Sequence, residues 1–115
     1  MRLPNAKDAI IPTEKLRDYC LSSQHAGGKH KALVFERLLG LSSDDAEWLR
    51  EVIKNKILTE GAIEIKEDQY GKRYVVEFDL TTKQGQARLR STWVVLTGEA
   101  YPRLTSCYIP KKRKG

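Results

Sequence analysis

A chain of 115 residues, 40% hydrophobic and 31% charged, can bury one core but not two. No apolar run approaches the roughly 20 residues that span a bilayer. The start, Met1-Arg2-Leu3-Pro4-Asn5, lacks the apolar stretch of a signal peptide, so a cytoplasmic domain over residues 1–110 with no membrane partner is expected.

The net charge of +6 is unevenly spread: residues 1–82 carry 13 basic and 14 acidic side chains, residues 83–115 carry 8 basic ones and Glu99 alone on the acidic side. Half of the late basic residues form the tail Lys111-Lys112-Arg113-Lys114, and residues 111–115 are expected to be disordered. The skew suits a polyanionic partner, either nucleic acid or an acidic protein. A solubilising tail beside an ordinary basic strand face accounts for it equally. Cys20 and Cys107 are expected as buried free thiols. No Cys/His spacing matches a zinc site, so neither metal nor cofactor is expected.

In chain order, residues 5–11 read as an extended lead-in closed by Pro12. Thr13 stands at a helix N-cap, and residues 14–21 follow with Leu16, Tyr19 and Cys20 on one face. Residues 22–28 form a loop punctuated by Gly27-Gly28. A second helix spans residues 29–39. Ala32, Leu33, Phe35, Leu38 and Leu39 nearly surround it, which predicts thorough burial, and Gly40 stops it. Ser42 or Ser43 caps a third helix with the core stripe Ala46, Leu49, Val52, Ile53 and Ile57. Gly61 ends the helical half.

Beyond it the hydrophobic period changes to two. Four runs follow, separated by turns at Asp68-Gln69-Tyr70-Gly71, Lys83-Gln84-Gly85-Gln86 and residues 98–102. Short turns between such runs predict an antiparallel meander. The fold class is therefore α+β, with three N-terminal helices packed on one face of a four-stranded antiparallel sheet. If Tyr74, Phe78, Leu89, Trp93 and Leu104 face the helices, the opposite face carries Arg73, Arg88, Arg90, Thr92, Arg103 and Thr105. Guanidinium and hydroxyl groups so arrayed can grip phosphates. The same face also fits a solvated outer surface of an antiparallel sheet. Tyr108 shares parity with Leu104, so it reaches that face only at the sheet's end or past a bulge.

Both histidines lie in one segment, His25-Ala26-Gly27-Gly28-Lys29-His30-Lys31-Ala32. Imidazole exchanges protons near neutral pH. Lysines stabilise a phosphate, glycines let backbone approach it, and a helix start offers free N–H groups. Metal-free RNA cleavage needs such parts; a plain polar surface loop also fits them. The Gly-Gly-Lys string is not a P-loop, since the spacing and the following Ser/Thr are missing.

Several stretches resemble a bacterial family of small uncharacterised domains: Leu3-Pro4-Asn5-Ala6, Lys15-Leu16-Arg17-Asp18-Tyr19, the segment from His25 to Ala32, Tyr70-Gly71-Lys72-Arg73-Tyr74, Arg90-Ser91-Thr92-Trp93 and Pro102-Arg103-Leu104-Thr105-Ser106-Cys107-Tyr108. Members of that family occur alone and at the C-terminal tips of large secreted contact-dependent toxins. The order of helices then sheet is similar to the barnase, EndoU, colicin and RelE group of metal-independent ribonucleases. In that resemblance the family's His–Pro pair falls at His25-Ala26, so the proline is absent here. Its glycine falls at Gly28 and its Lys–Ala pair at Lys31-Ala32, and His30 occupies a free position. Its strand residues fall at Arg90, Thr92, Arg103, Thr105 and Tyr108.

The resemblance implies a toxin-like endoribonuclease in which the 2′-hydroxyl attacks the adjacent phosphate. His25 is the acid–base candidate. Lys31, Arg90, Arg103, Thr92, Thr105 and Tyr108 bind and orient the phosphate, with Lys29, His30, Arg73 and Arg88 along the RNA. An acidic antitoxin or immunity protein is the implied inhibitor. A non-catalytic nucleic-acid-binding or protein-interaction module using the same strand face is the rival reading.

Overall fold

The change of hydrophobic period near Gly61 separates two structural halves. The computed structural model describes residues 1–24 and 29–111. The lead-in is not wholly extended: Asn5 takes a left-handed conformation at φ 50°, which asparagine tolerates, and a 3-10 turn follows at Ala6–Asp8. Ile10 then lies parallel to Arg103, donating to the Pro102 carbonyl at 2.9 Å and accepting from the Leu104 N–H at 3.0 Å.

Helix α1 (Thr13–Lys15) runs straight into one π-helical turn, Leu16–Cys20, closed by the Leu21 N–H on the Leu16 carbonyl at 2.9 Å. Leu16 and Cys20 are buried. Helix α2 (Lys29–Leu39) buries Ala32, Phe35 and Leu39 on one face, but Leu33 and Leu38 stay 45% and 42% exposed. The sheet covers only one side of this helix, so its thorough burial, expected from the apolar count, does not occur. Gly40 ends it with φ 69°. Ser42, not Ser43, caps the third segment: its N–H meets Asp45 Oδ2 at 2.9 Å in a reciprocal capping box. A 3-10 turn, Ser43–Asp45, leads into α3 (Ala46–Lys56), which buries Ala46, Leu49 and Ile53. No helix among the described residues is long and apolar enough to cross a membrane.

The sheet comprises β1 (Ala62–Asp68), β2 (Gly71–Thr81), β3 (Gln86–Leu96) and β4 (Arg103–Tyr108), hydrogen-bonded in chain order and antiparallel throughout. Tyr74, Val76, Phe78, Leu80, Leu89, Trp93 and Leu104 join the helical residues in one core. Ser91, fully buried among them, is satisfied twice: Oγ donates to the Val76 carbonyl at 2.8 Å and accepts from Trp93 Nε1 at 2.9 Å. β1, at the sheet edge, contributes only Ala62 to the core and leaves Ile63 and Ile65 67% and 56% exposed.

The ladder between β3 and β4 slips once. Trp93 faces Leu104, but Thr92 faces Ser106, so Thr105 is one residue extra. Simple alternation from Leu104 would send Tyr108 to the core side. After the slip Cys107 is buried instead, at 0% exposure, and Tyr108 lies opposite Arg90 on the outer face.

Candidate functional site

Residues opposite one another in adjacent antiparallel strands share a face. On the outer face one row therefore holds Glu77, Arg90 and Tyr108, the next Val75, Thr92 and Ser106, and a third Arg73, Val94 and Arg103. Arg88 stands opposite Asp79 at the far side of the first row.

Most arginines of this face are occupied by carboxylates. Arg103 makes a bidentate pair with Glu99, Nε to Oε1 and Nη2 to Oε2, both at 2.9 Å. This pairing pushes Arg103 up and holds the Glu99 carboxyl below its usual value. Its guanidinium also lies 5.3 Å from the Tyr101 ring. Arg73 lies 3.9 Å from Asp68, and Arg88 reaches Asp79 at 3.2 Å and Glu77 at 3.5 Å. Val94 is only 7% exposed with Arg73 and Arg103 flanking it in register; their stems serve as apolar cover.

Arg90 differs. Its Nε meets Glu77 Oε2 at 2.6 Å, while Nη1 lies 3.4 Å from the Tyr108 hydroxyl and its guanidinium carbon 5.8 Å from the same ring. The Tyr108 oxygen first, then Glu77, raises its pKa further. Lys31, brought in by the first turn of α2, places its ammonium 4.5 Å from the Tyr108 ring centroid, and among the described residues no carboxylate pairs with it. One row away, Thr92 and Thr105 share a hydroxyl–hydroxyl hydrogen bond of 2.6 Å, and Thr92 Oγ1 lies 3.2 Å from the Ser106 carbonyl. Residues from α2, β3 and β4 thus meet around one phenol.

Of the residues read from sequence, Lys31, Arg90 and Tyr108 come together, and Thr92 pairs with Thr105 one row away. Arg103 does not join them: it aligns with Val94, four residues from Arg90, or about 13 Å along a strand. Arg73 and Arg88 are likewise outside the cluster, and Lys29 and His30 are exposed at the start of α2. His25 lies outside the described residues.

Sequence reasoning missed three participants. Glu77 is placed by the hairpin register, which can be counted outward from the Gly85 turn. Lys15 and Tyr19, four residues apart on the first helical segment, border a cleft with Thr105 and Ser106; their helical spacing was visible, but not the strand they meet. Beneath it Cys20 and Cys107 abut as free thiols. The Cys107 thiol, above all, holds Cys20 down to about 7 against the effect of burial, helped by the Cys107 N–H, the Ser106 hydroxyl and Lys15. Cys107 is pushed up, by Cys20 and by burial.

Fold and site together define a small α+β domain with a cation–phenol–hydroxyl cluster on the free face of a bulged antiparallel sheet. The chain belongs to the family described as domain of unknown function DUF6883, whose profile matches residues 2–111. No curated protein matches it.

Proposed function

We propose that the protein is a metal-independent endoribonuclease of the toxin type. The observation that carries this reading is the convergence of Lys31 and Arg90 on Tyr108, with the hydrogen-bonded Thr92–Thr105 pair one row away on the same face. Two fixed cations and three hydroxyls suit a phosphate whose charge grows as a fifth oxygen approaches phosphorus. A base removes the 2′-hydroxyl proton, O2′ bonds to phosphorus, the bond to O5′ breaks, and an acid protonates O5′. A 2′,3′-cyclic phosphate and a 5′-hydroxyl result. Arg90 and Lys31 take the non-bridging oxygens, the threonines and Tyr108 orient them, and His25 exchanges the proton. Arg103, engaged by Glu99, secures the turn before β4 rather than the scissile phosphate. The inhibitor in this reading is an acidic antitoxin or immunity protein that covers the cluster.

The test incubates the purified chain with single-stranded RNA in chelator and identifies the product ends. Cleavage with cyclic-phosphate ends, lost in Arg90→Ala, Lys31→Ala and His25→Ala, is the expected outcome. Intact RNA at high protein concentration overturns it. Intact RNA that is nonetheless bound identifies a nucleic-acid-binding module instead.

A further inference from the structure

Apart from Thr105, the lining of the cleft beside the threonine pair has no part in the steps above. It has a volume of about 350 Å³ and is lined by Lys15, Tyr19, Thr105 and Ser106. That is near the small end of ligand pockets, roughly 300–1,000 Å³, and suits one nucleoside better than a longer segment. Thr105 belongs to both sites, since its hydroxyl lies 2.6 Å from that of Thr92. Ser106 Oγ is buried and, apart from the Cys20 sulfur, has no hydrogen-bond partner among the described residues. Lys15 and Tyr19, one helical turn apart, supply an ammonium and a half-buried aromatic ring.

We propose that this cleft is a nucleoside subsite: it takes the base and ribose adjoining the phosphate held at Arg90, Lys31 and the threonines. The identity of the ligand rests on the endoribonuclease reading. An aromatic ring stacks on any base, so Tyr19 gives affinity, while the Thr105 hydroxyl reads a polar edge of the base or the ribose 2′-hydroxyl. Lys15 meets the next phosphate along the strand.

The experiment titrates the full chain, followed by residue-resolved NMR, with uridine 3′-phosphate, adenosine 3′-phosphate and inorganic phosphate. Both nucleotides should move the resonances of Tyr19 as well as those of the phosphate site; inorganic phosphate should move those of Lys31, Arg90, Thr92, Thr105 and Tyr108 and leave Tyr19 unmoved. Tyr19→Leu should weaken nucleotide binding by about tenfold, Tyr19→Phe by about twofold at most, and neither should change phosphate binding. Identical shift patterns for nucleotide and phosphate, or a Tyr19→Leu chain that binds nucleotides like the wild type, would overturn the subsite. The two readings fail separately. Nucleotide binding at the cleft with no cleavage of any RNA removes the nuclease and leaves the subsite; RNA cleavage with an unresponsive cleft removes the subsite alone.

Discussion

Deleting Thr105 should leave the domain folded while damaging its site. In the native ladder Thr105 is the residue with no opposite number, between Leu104 facing Trp93 and Ser106 facing Thr92. Removing it makes β4 regular, with Leu104 and Cys107 still inward and Tyr108 still opposite Arg90. The loss is then one hydroxyl pair with Thr92 at 2.6 Å, worth about 1 kcal/mol net, partly offset by a continuous ladder. For a domain of this size that corresponds to a fall in Tm of about 4–6 °C at most. Had β4 been unbulged, the deletion would instead turn Cys107 and everything after it to the opposite face. Emptying fully buried positions in that way costs about 2–5 kcal/mol each. Thermal melting by circular dichroism separates the outcomes, and thiol titration of the folded chain adds a second readout, since Cys107 should stay unreactive. RNA cleavage by the deletion variant should fall along with that of Thr105→Ala. A collapse in Tm or a reactive Cys107 would refute the bulge as the device that orients β4.

Arg103→Ala should lower stability through loss of the Glu99 pair and the cover over Val94, yet keep cleavage per folded molecule; Arg90→Ala should also lower stability through loss of the Glu77 pair but abolish cleavage per folded molecule, and paired melting and cleavage assays decide. Folded Cys20 titrates near 7 instead of 9.0, so between those values the folded chain holds fewer protons there than the unfolded one. Its stability contribution should grow as pH rises through that window and be lost below about 7, whereas Cys20→Ser should show no such rise in urea midpoints. The raised Cys107 acts oppositely, losing its contribution as pH climbs past the ordinary thiol value. Gly71→Ala should destabilise far more than Gly98→Ala: at Gly71, φ is 149° and an added Cβ would strike the Val95 carbonyl, while at Gly98 φ is 88° and the space is open. Equal melting shifts for the two would contradict that packing argument.

Strand order, the three hairpin turns and the inward set Tyr74, Phe78, Leu89, Trp93 and Leu104 were legible because a period of two fixes a side chain's face once one residue is placed. Caps were legible at Gly40 and, to within one residue, at Ser42 or Ser43, because φ and side-chain chemistry are local. The bulge was not, since an extra residue leaves no mark in composition; only the awkward parity of Tyr108 hinted at it. The exposure of Leu33 and Leu38 depends on how much of α2 the sheet covers, which is a tertiary fact. The meeting of Lys15 and Tyr19 with Thr105 is another.

Charge was the most misleading signal, and its correction can be measured. Eight basic residues against Glu99 alone in residues 83–115 suggest a broadly cationic strand face. Register cancels much of it, because Glu77 and Asp79 come from β2 to meet Arg88 and Arg90, and Glu99 turns back onto Arg103. If RNA binds as proposed, its phosphates should displace counterions chiefly at Lys15, Lys31 and Arg90. For a single strand each neutralised phosphate contributes about 0.7 to the slope of log K against log salt. Lys15→Ala and Lys31→Ala should each flatten that slope by about this amount, and Arg90→Ala by less, because Glu77 already holds its Nε at 2.6 Å. Arg73→Ala and Arg88→Ala should leave it unchanged, because their charge is already spent on Asp68, Glu77 and Asp79. Contributions from elsewhere in the chain are common to all five variants and cancel. Equal flattening across the five would mean that the carboxylates release their arginines to RNA, and the site would then extend over the whole outer face rather than centre on Tyr108.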